Sequence, residues 1–488
     1  AGYAVMDFRG RQVIPLLTGY GLQHDDLLKK VQKHITAHAE EGGKRVRIEP
    51  NYFYDEATFT MYANVGNENI LKLTATSADF IPNGSEGLLF PPYSSEPMKL
   101  DLDAIRESKM GMRIEPGSLA FDYFNASFDD QVWPARQWLQ LVFCRILALF
   151  FPQAFNTRSI LAFIGEAGCG KTILAEKIGW VLEGAQFQVD AVVDDNKEME
   201  TLFTSKPFVV LDNCDDIHQM KKKTSLLCRT STGGGVSRRI LYSTNTHIQY
   251  PLISNLVLTA ISAGFMRDTL AGRTLIIPLK PRNRQQDPGG HNFKTQAQAA
   301  RDAVLTELFG RAKNILAALE AQAKYLPRHD SRLQDLTGFI MRCAIHEDWI
   351  HVGTEILKAM TDSQDEEANL NNPLHRAIEL YIGSVHPQGM SFDQPIKMTA
   401  LAQRLHRAAQ AGGINLEFEA TAVIMRSKIN SQLSTLEKKF GLRKKLNREN
   451  SNDYWFEPTQ DVVAACRELT AQLGGGIREL AFGSLDED

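Results

Sequence analysis

The chain has 488 residues, which is too long for one ordinary domain and predicts about three or four. Its composition is that of a globular protein, with 43% hydrophobic and 23% charged residues. The formal net charge is −4, which excludes a protein that coats nucleic acid with its whole surface. Any surface that binds nucleic acid therefore has to be local.

Residues 1–125 are predicted to form an accessory domain with an α+β or β-rich fold. Apolar and charged residues alternate with helical spacing over 23–40, and short strand-like runs separated by turn residues follow from 46 to 91. Asp101 and Asp103 form a D-x-D pair, which can hold a metal ion in a primase. A solvated turn near the start of a helix is the favoured interpretation of that pair.

Residues 126–285 alternate strands with helices, which predicts an α/β core. The strand candidates are "SILAFIG", "PFVVLD", "RRILYST", "NLVLTAI" and "TLIIPL", and most contain continuous apolar runs. Such runs are typical of a sheet that is buried on both faces.

The cysteines and the apolar runs predict a cytoplasmic protein without membrane association. Cys144, Cys214 and Cys228 lie in apolar stretches, and no pair of the six cysteines has C-x-x-C spacing. This argues against a zinc site and against a disulfide framework. The longest apolar run, residues 138–151, is too short to span a bilayer and contains Arg145.

The remainder of the chain is predicted to be mainly helical. A polar segment rich in Pro and Gly leads into a helical lid or linker over residues 286–370. Three helical segments and a basic hairpin follow over 371–460, which is the pattern of a winged helix. Residues 461–488 contain a run of glycines and an acidic end, and they are predicted to be a frayed tail.

A complete phosphate-binding motif, "GEAGCGKT", spans residues 165–172 between a predicted strand and a predicted helix. Its glycines allow backbone N–H groups to turn towards phosphate oxygens, and the helix N-terminus adds its positive dipole. Lys171 is predicted to reach the β- and γ-phosphates of ATP, and Thr172 to coordinate Mg²⁺. The predicted nucleotide-binding residues are Gly165, Gly168, Cys169, Gly170, Lys171, Thr172 and Ile173.

The strand "VVLD" ends at Asp212, which is predicted to hold Mg²⁺ together with Thr172. A helix N-cap is the alternative for Asp212. Asn213 follows, where many nucleotide hydrolases have a glutamate that activates water. An amide cannot take a proton, but it can orient a water molecule. Asp215 and Asp216 are the nearest carboxylates, and either could be the base or could cap the next segment.

Three further residues complete the predicted catalytic set. Thr259 ends the strand "NLVLT", where a polar group can contact the γ-phosphate or the attacking water, although β-propensity also explains a threonine there. Arg267 and Arg273 precede the last strand. A guanidinium at this place can reach phosphates bound by a neighbouring subunit, as an arginine finger does. Surface charge is the alternative.

Four segments, "FVVLDN", "LLCRTSTGGGVSRRILY", "NLVLTAI" and "RDTLAGRTLIIPL", follow one another in an order that resembles the superfamily 3 helicase-type ATPases of phages, plasmids and integrated elements. That family has an AAA+-like P-loop core and is often linked to primases. The resemblance is strong over residues 150–280 and weaker in the helical C-terminal part. Some bacterial members also carry an amide after the aspartate, so Asn213 is compatible with an active site.

The resemblance implies a hexameric ring that binds ATP between subunits and has a hairpin in its pore. Here the hairpin would be "RRILYSTNTHIQYPLI", with Arg238, Arg239 and His247 available to DNA phosphates. For His247, a solvated turn residue is the alternative. Because residues 1–125 contain no primase motif, the motor would serve a primase encoded elsewhere.

A basic cluster stands out near the C-terminus of an otherwise slightly acidic chain. In a winged helix the third helix enters the major groove and the wing contacts the backbone, so these side chains are predicted to bind DNA. A solvated face that docks a protein is the alternative. The cluster contains Lys428, Lys438, Lys439, Arg443, Lys444, Lys445 and Arg448.

These patterns predict an ATP-dependent DNA helicase or translocase in the replication of a mobile genetic element. Two alternatives stay open because the usual glutamate is missing. One is a regulatory ATPase switch, in defence or assembly, that binds nucleic acid without unwinding it. The other is an origin-binding module in which ATP only stabilises a ring.

Overall fold

The computed structural model describes residues 46–66, 68–91, 96–130, 133–239, 247–264, 266, 268–281, 290–325, 332–370, 373–385, 396–414, 416, 421–431, 433–446 and 452–472. The chain divides into two compact units. The first comprises Ala1–Ala263 and Gly272–Gln364, and the second comprises Gly264–Ala271 and Asp365–Asp488. Within the described residues, no helix combines the length and the apolar character that crossing a membrane requires.

The described part of the first unit begins, at residue 46, with short strands and two short helices. They are β1 (Arg47–Ile48), β2 (Tyr52–Asp55), β3 (Thr60–Gly66), β4 (Asn69–Leu73), β5 (Ala78–Pro82), β6 (Leu88–Leu89), α1 (Leu102–Glu107) and α2 (Leu119–Phe124). Strands β2 to β5 form an antiparallel sheet in chain order, as the turn-separated runs predicted. Asp101 caps α1 by accepting the N–H groups of Asp103 and Ala104, so the D-x-D pair starts a helix.

A five-stranded sheet forms the α/β part of this unit. Its strands are β7 (Ile160–Ile164), β8 (Asp190–Ala191), β9 (Phe208–Asp212), β12 (Asn255–Ala260) and β13 (Thr274–Pro278). They lie in the order β13–β7–β12–β9–β8, and all four pairings are parallel. The apolar runs therefore form a mixed α/β structure with a buried parallel sheet, as expected.

Two features of this sheet differ from the sequence-based expectation. The run "RRILYST" was expected to be one of its strands, but its described residues belong to β10 (Gly235–Arg239). That strand pairs antiparallel with β11 (His247–Pro251) in a separate hairpin. The fifth strand of the sheet is β8. No apolar run predicts it, because it is an edge strand of only two residues.

The first unit contains further helices, most of which share one core with the N-terminal strands. They are α3 (Ala135–Ala148), α4 (Lys171–Glu183), α5 (Asn196–Ser205), α6 (Ile217–Ser231), α8 (Gly290–Ala321), α9 (Gln334–His346) and α10 (Ile350–Leu370), whose last residues belong to the second unit. The ring of Phe150 contacts Tyr52 and Phe309, each with a centroid distance of 5.0 Å. The boundaries expected at residues 125 and 286 therefore do not separate compact units.

The second unit contains α7 (Asp268–Ala271), α11 (Pro373–Val385), β14 (Ile396–Lys397), α12 (Met398–Ala411), α13 (Ala422–Ser431), α14 (Leu433–Phe440), β15 (Leu442–Leu446), β16 (Asn452–Phe456) and α15 (Gln460–Gln472). Strands β14, β16 and β15 form an antiparallel sheet in that order. The third predicted helix is divided into α13 and α14. Part of the predicted tail is α15, whose Val463 and Cys466 are buried in the core of the unit. The winged-helix assignment of this region stays a prediction.

Candidate nucleotide-binding site

The phosphate-loop motif lies at the carboxyl edge of the parallel sheet, directly between β7 and α4. Ligands of open α/β sheets bind at this edge, where loops and helix N-termini converge. Because β12 lies between β7 and β9, three strand ends come together there. They bring Gly165, Thr259 and Asp212 to neighbouring positions.

The glycines of the loop adopt backbone conformations that other residues rarely take. The φ angle is 154° at Gly165, 83° at Gly168 and 94° at Gly170. A Cβ atom at Gly165 would lie 2.2 Å from the carbonyl oxygen of Leu279 and 3.0 Å from Sγ of the buried Cys169. The loop therefore needs glycine at this position for steric as well as conformational reasons.

Lys171 begins α4, and its ammonium group contacts the loop that precedes it. Its Nζ donates to the carbonyl oxygens of Gly165, at 2.6 Å, and Glu166, at 3.0 Å. The residue is 9% exposed. A positive charge is thus held against the loop that is expected to cradle phosphates. Ile173, the last predicted nucleotide contact, is half-buried on the same helix.

Asp212 is the centre of a hydrogen-bond cluster. Its Oδ1 accepts from Thr172 Oγ1 at 2.9 Å and from Thr259 Oγ1 at 2.5 Å. Thr172 and Asp212 thereby present a hydroxyl and a carboxylate side by side, and Mg²⁺ prefers oxygen ligands of this kind. The donor set and the glycine loop fit the predicted Mg²⁺ and ATP.

Asn213 has a left-handed backbone and an exposed side chain. Its φ angle is 56°, in a region where asparagine is better tolerated than most side chains. Its N–H donates to Thr259 Oγ1 at 3.1 Å. The backbone alone therefore gives a reason for an amide residue here, and a glutamate would be more strained.

Both aspartates that follow have backbone partners. Asp215 Oδ1 accepts the N–H of Ile261 at 2.5 Å. Asp216 caps α6 by accepting the N–H groups of His218 and Gln219, and these hydrogen bonds hold the pKa of its carboxyl below the usual range. For Asp216 the cap that the sequence left open is present, and Asp215 ties its loop to the end of β12.

Glu176 is a carboxylate near the site that the sequence reading missed. It lies one turn after Thr172 on α4 and is half-buried. Burial raises the pKa of its carboxyl, the positive charge of Lys294 lowers it, and the charge of Asp212 raises it further. The i,i+4 spacing from Thr172 was the available signal, because such pairs share one helix face.

Arg273 lies at the other edge of the sheet. It directly precedes β13, and its carbonyl accepts the N–H of Ile160, the first residue of β7, at 2.9 Å. The phosphate loop follows the far end of β7, about 16 Å away for a strand of this length at 3.3 Å per residue. Arg273 is therefore remote from the loop of its own chain. Arg267 lies outside the described residues.

The hairpin that was predicted to contact DNA is present as β10 and β11. Arg239 pairs with His247, and Arg238 pairs with Ile248. The connecting residues 240–246, which include the predicted turn, lie outside the described residues.

The basic cluster of the second unit is partly neutralised by neighbouring groups. Lys439 Nζ forms an ion pair with Glu379 at 2.9 Å. Lys444 is exposed, and its Nζ donates to Asn430 Oδ1 at 3.0 Å. Lys444 therefore keeps a charge without a described carboxylate partner, whereas that of Lys439 is compensated. Lys438 lies on α14 and Lys445 on β15.

No family model and no curated protein matches this chain. Among solved structures it is similar to the apo C-terminal region of NrS-1 (residues 305–718), at 10% identity and a TM-score of 0.33, over 84% of this chain and 96% of that one. The A form of the same region gives 12% identity and a TM-score of 0.35, over 83% and 95%. JCV helicase with a bound thiazolopyridine acetamide compound gives 13% identity and a TM-score of 0.23, over 52% of this chain and 66% of that one. Similarities at this level do not assign a function.

Proposed function

We propose that the protein is a Mg²⁺-dependent ATP hydrolase that works as a DNA helicase or translocase. The observation that carries the proposal is the contact of 2.9 Å between Thr172 and Asp212 beside the loop that Lys171 closes. A glycine loop, a helix N-terminus, a lysine and a hydroxyl–carboxylate pair converge there, and each suits a phosphate or its metal ion.

In this proposal the residues of the site have different roles in hydrolysis. Lys171 and the loop N–H groups bind phosphate, and Thr172 and Asp212 hold Mg²⁺, which neutralises phosphate charge when it is bound. Asn213 orients the attacking water. Since phosphoryl transfer has a loose transition state, positioning and charge stabilisation supply most of the rate, and an amide is sufficient.

We further propose a cytoplasmic homo-oligomer, a hexameric ring, that replicates a mobile genetic element with a separately encoded primase. The position of Arg273 supports a shared site, because an arginine whose backbone lies at the amino edge of the sheet is too far from its own loop to contact the same nucleotide. DNA would pass the β10–β11 hairpin in the pore, and the second unit would bind duplex.

Two assays on the purified protein test this function. ATP turnover with Mg²⁺ tests the hydrolase, and displacement of a labelled strand from forked DNA tests the helicase. Turnover that DNA stimulates without strand displacement would favour a regulatory switch, the candidate that Asn213 in place of a glutamate keeps open. Absence of Mg²⁺-dependent turnover would refute the hydrolase.

Replacement of Asn213 should show whether its amide is needed for turnover. We expect Asn213→Ala and Asn213→Gly to lose most ATP turnover and Asn213→Asp to keep much of it. The glycine variant is the decisive one, because alanine in a left-handed conformation adds strain of about 1–2 kcal/mol whereas glycine adds none. Steady-state ATPase rates and melting temperatures are the measurements.

The control variants for Asn213 are Asp215→Asn and Asp216→Asn. If one of these aspartates is the base, its variant should lose about 10²–10⁴-fold in rate. Asparagine is as good a helix N-cap as aspartate, so the cap on α6 instead predicts that Asp216→Asn changes the rate and the melting temperature little. Full turnover in Asn213→Gly would mean that the amide of Asn213 is not needed, and that the residue matters only for its left-handed backbone conformation.

Replacing Lys438, Lys439, Lys444 and Lys445 with alanine should weaken DNA binding about equally across sequences. Each phosphate contact that is lost should also flatten the log–log salt dependence by roughly 0.9 for duplex DNA. Fluorescence anisotropy at several salt concentrations measures both effects.

Two single variants form a matched pair for the basic cluster. Lys439→Ala should weaken DNA binding less than Lys444→Ala, because the charge of Lys439 is already paired with Glu379. If the salt dependence of DNA binding is unchanged in the fourfold variant, DNA binds at another place, and the β10–β11 hairpin is the next candidate.

A further inference from the structure

The hydroxyl of Thr259 is buried and forms two hydrogen bonds inside the protein. The residue is 0% exposed. Its Oγ1 donates to Asp212 Oδ1 at 2.5 Å and accepts the N–H of Asn213 at 3.1 Å. Its carbonyl accepts the N–H of Cys214 at 2.8 Å. A threonine hydroxyl has one proton to donate, and here the carboxylate of Asp212 takes it.

We propose that Thr259 is a positioning residue that couples the carboxylate of Asp212 to the backbone of Asn213, and that it does not contact the γ-phosphate itself. This inference rests on the proposed ATPase function. It replaces the γ-phosphate contact, which was one of the two contacts expected from the position of Thr259 at a strand end; the other was the attacking water.

The coupling acts on two groups at once. Thr172 and Thr259 donate to the same oxygen of Asp212, so the carboxylate is held between them. A hydrogen bond to a charged group is stronger than one between neutral groups, which favours a single orientation of this carboxylate. The same hydroxyl retains the left-handed backbone at Asn213. Removing it should therefore release both the metal-holding and the water-orienting residue.

Chain topology explains why the coupling runs through β12. This strand lies between β7 and β9, and it is hydrogen-bonded to both. Thr259 is the last residue but one of β12, and Asp212 is the last residue of β9. A side chain at this end of β12 is thus next to Asp212, and the buried hydroxyl of Thr259 reaches the carboxylate from inside the protein.

The test compares Thr259→Val, which keeps the branched shape and removes the hydroxyl, with Thr259→Ser, which keeps the hydroxyl. Binding of a fluorescent ATP analogue is measured with Mg²⁺ and with EDTA. We expect Thr259→Val to reduce the gain in affinity that Mg²⁺ provides by about 10–100-fold, as loss of a residue that orients a metal ligand does. Affinity in EDTA should be unchanged, and Thr259→Ser should restore the Mg²⁺ effect.

A double-mutant cycle in ATP turnover tests the second half of the coupling. Because Thr259 acts on Asn213, Thr259→Val should reduce kcat less in an Asn213→Gly background than in the wild-type protein. Equal reductions in both backgrounds would contradict the coupling. Melting temperatures of all variants separate loss of folding from these effects.

A different pattern would overturn the inference. If Thr259→Val keeps the wild-type Mg²⁺ effect but loses preference for ATP over ADP, the hydroxyl contacts the γ-phosphate directly. The wild-type protein reports on the proposed function separately: if it binds no ATP analogue with Mg²⁺, the nucleotide site itself is refuted, whatever the variants do.

Discussion

Replacing Lys171 with alanine should reduce ATP turnover by at least about 10²–10³-fold, the usual effect of removing one pre-organised donor from a transition state. Its ammonium contacts the carbonyls of Gly165 and Glu166, so it lies at the loop itself. The variant should also bind ATP more weakly, because the charge opposite the phosphates is lost. Turnover and nucleotide affinity are the two measurements.

An exposed lysine provides the control for this variant. Lys197→Ala on α5 removes the same charge from the surface and should leave turnover unchanged. A melting temperature close to that of the wild type would show that Lys171→Ala is folded. Wild-type turnover in Lys171→Ala would mean that the phosphates bind elsewhere.

Replacing Arg273 with alanine should reduce turnover by about 10³–10⁵-fold, the range for an arginine finger, while ATP binding is retained. The reason is its place beside Ile160, at the end of β7 that is remote from the phosphate loop. If an arginine there contacts a nucleotide, that nucleotide has to be held by another subunit. Arg273→Lys is the matched control, and it should restore little because lysine lacks the planar fork.

Mixing the two inactive variants tests the shared site directly. An Arg273→Ala subunit has an intact loop, and a Lys171→Ala subunit has an intact Arg273. Some interfaces in a mixture therefore contain both intact halves, and turnover should reappear. If no ratio of the two proteins regains activity, Arg273 does not complete a neighbour's site.

A motif or strand could be predicted from the sequence where its signal comes from residues that are neighbours along the chain. The loop of residues 165–172, the strand before it and the helix after it could be predicted because glycine, lysine and an apolar run act on the adjacent backbone. Apolar character alone put the run "RRILYST" in the main sheet, because it does not say which sheet a strand joins, whereas the family resemblance placed the run in a hairpin. Strand β8 was missed because two edge residues carry no periodic signal.

Side-chain roles were open wherever a residue has a distant partner. Asp216 could be a base or a cap, and only its contacts with the start of α6 show the cap. The sequence does not show that the charge of Lys439 is paired, because its partner Glu379 lies 60 positions earlier in the chain.

The sequence by itself determined the phosphate loop, the buried parallel strands and the residues available for phosphate and metal, because those depend on neighbours along the chain. Only the tertiary structure decided that Thr259 holds Asp212, a residue 47 positions away, and that Arg273 lies at the opposite edge from its own loop. The first follows from the insertion of β12 between β7 and β9, and the second from the parallel pairing of β13 with β7. Strand order comes from packing of the whole sheet, and no short segment of the chain encodes it.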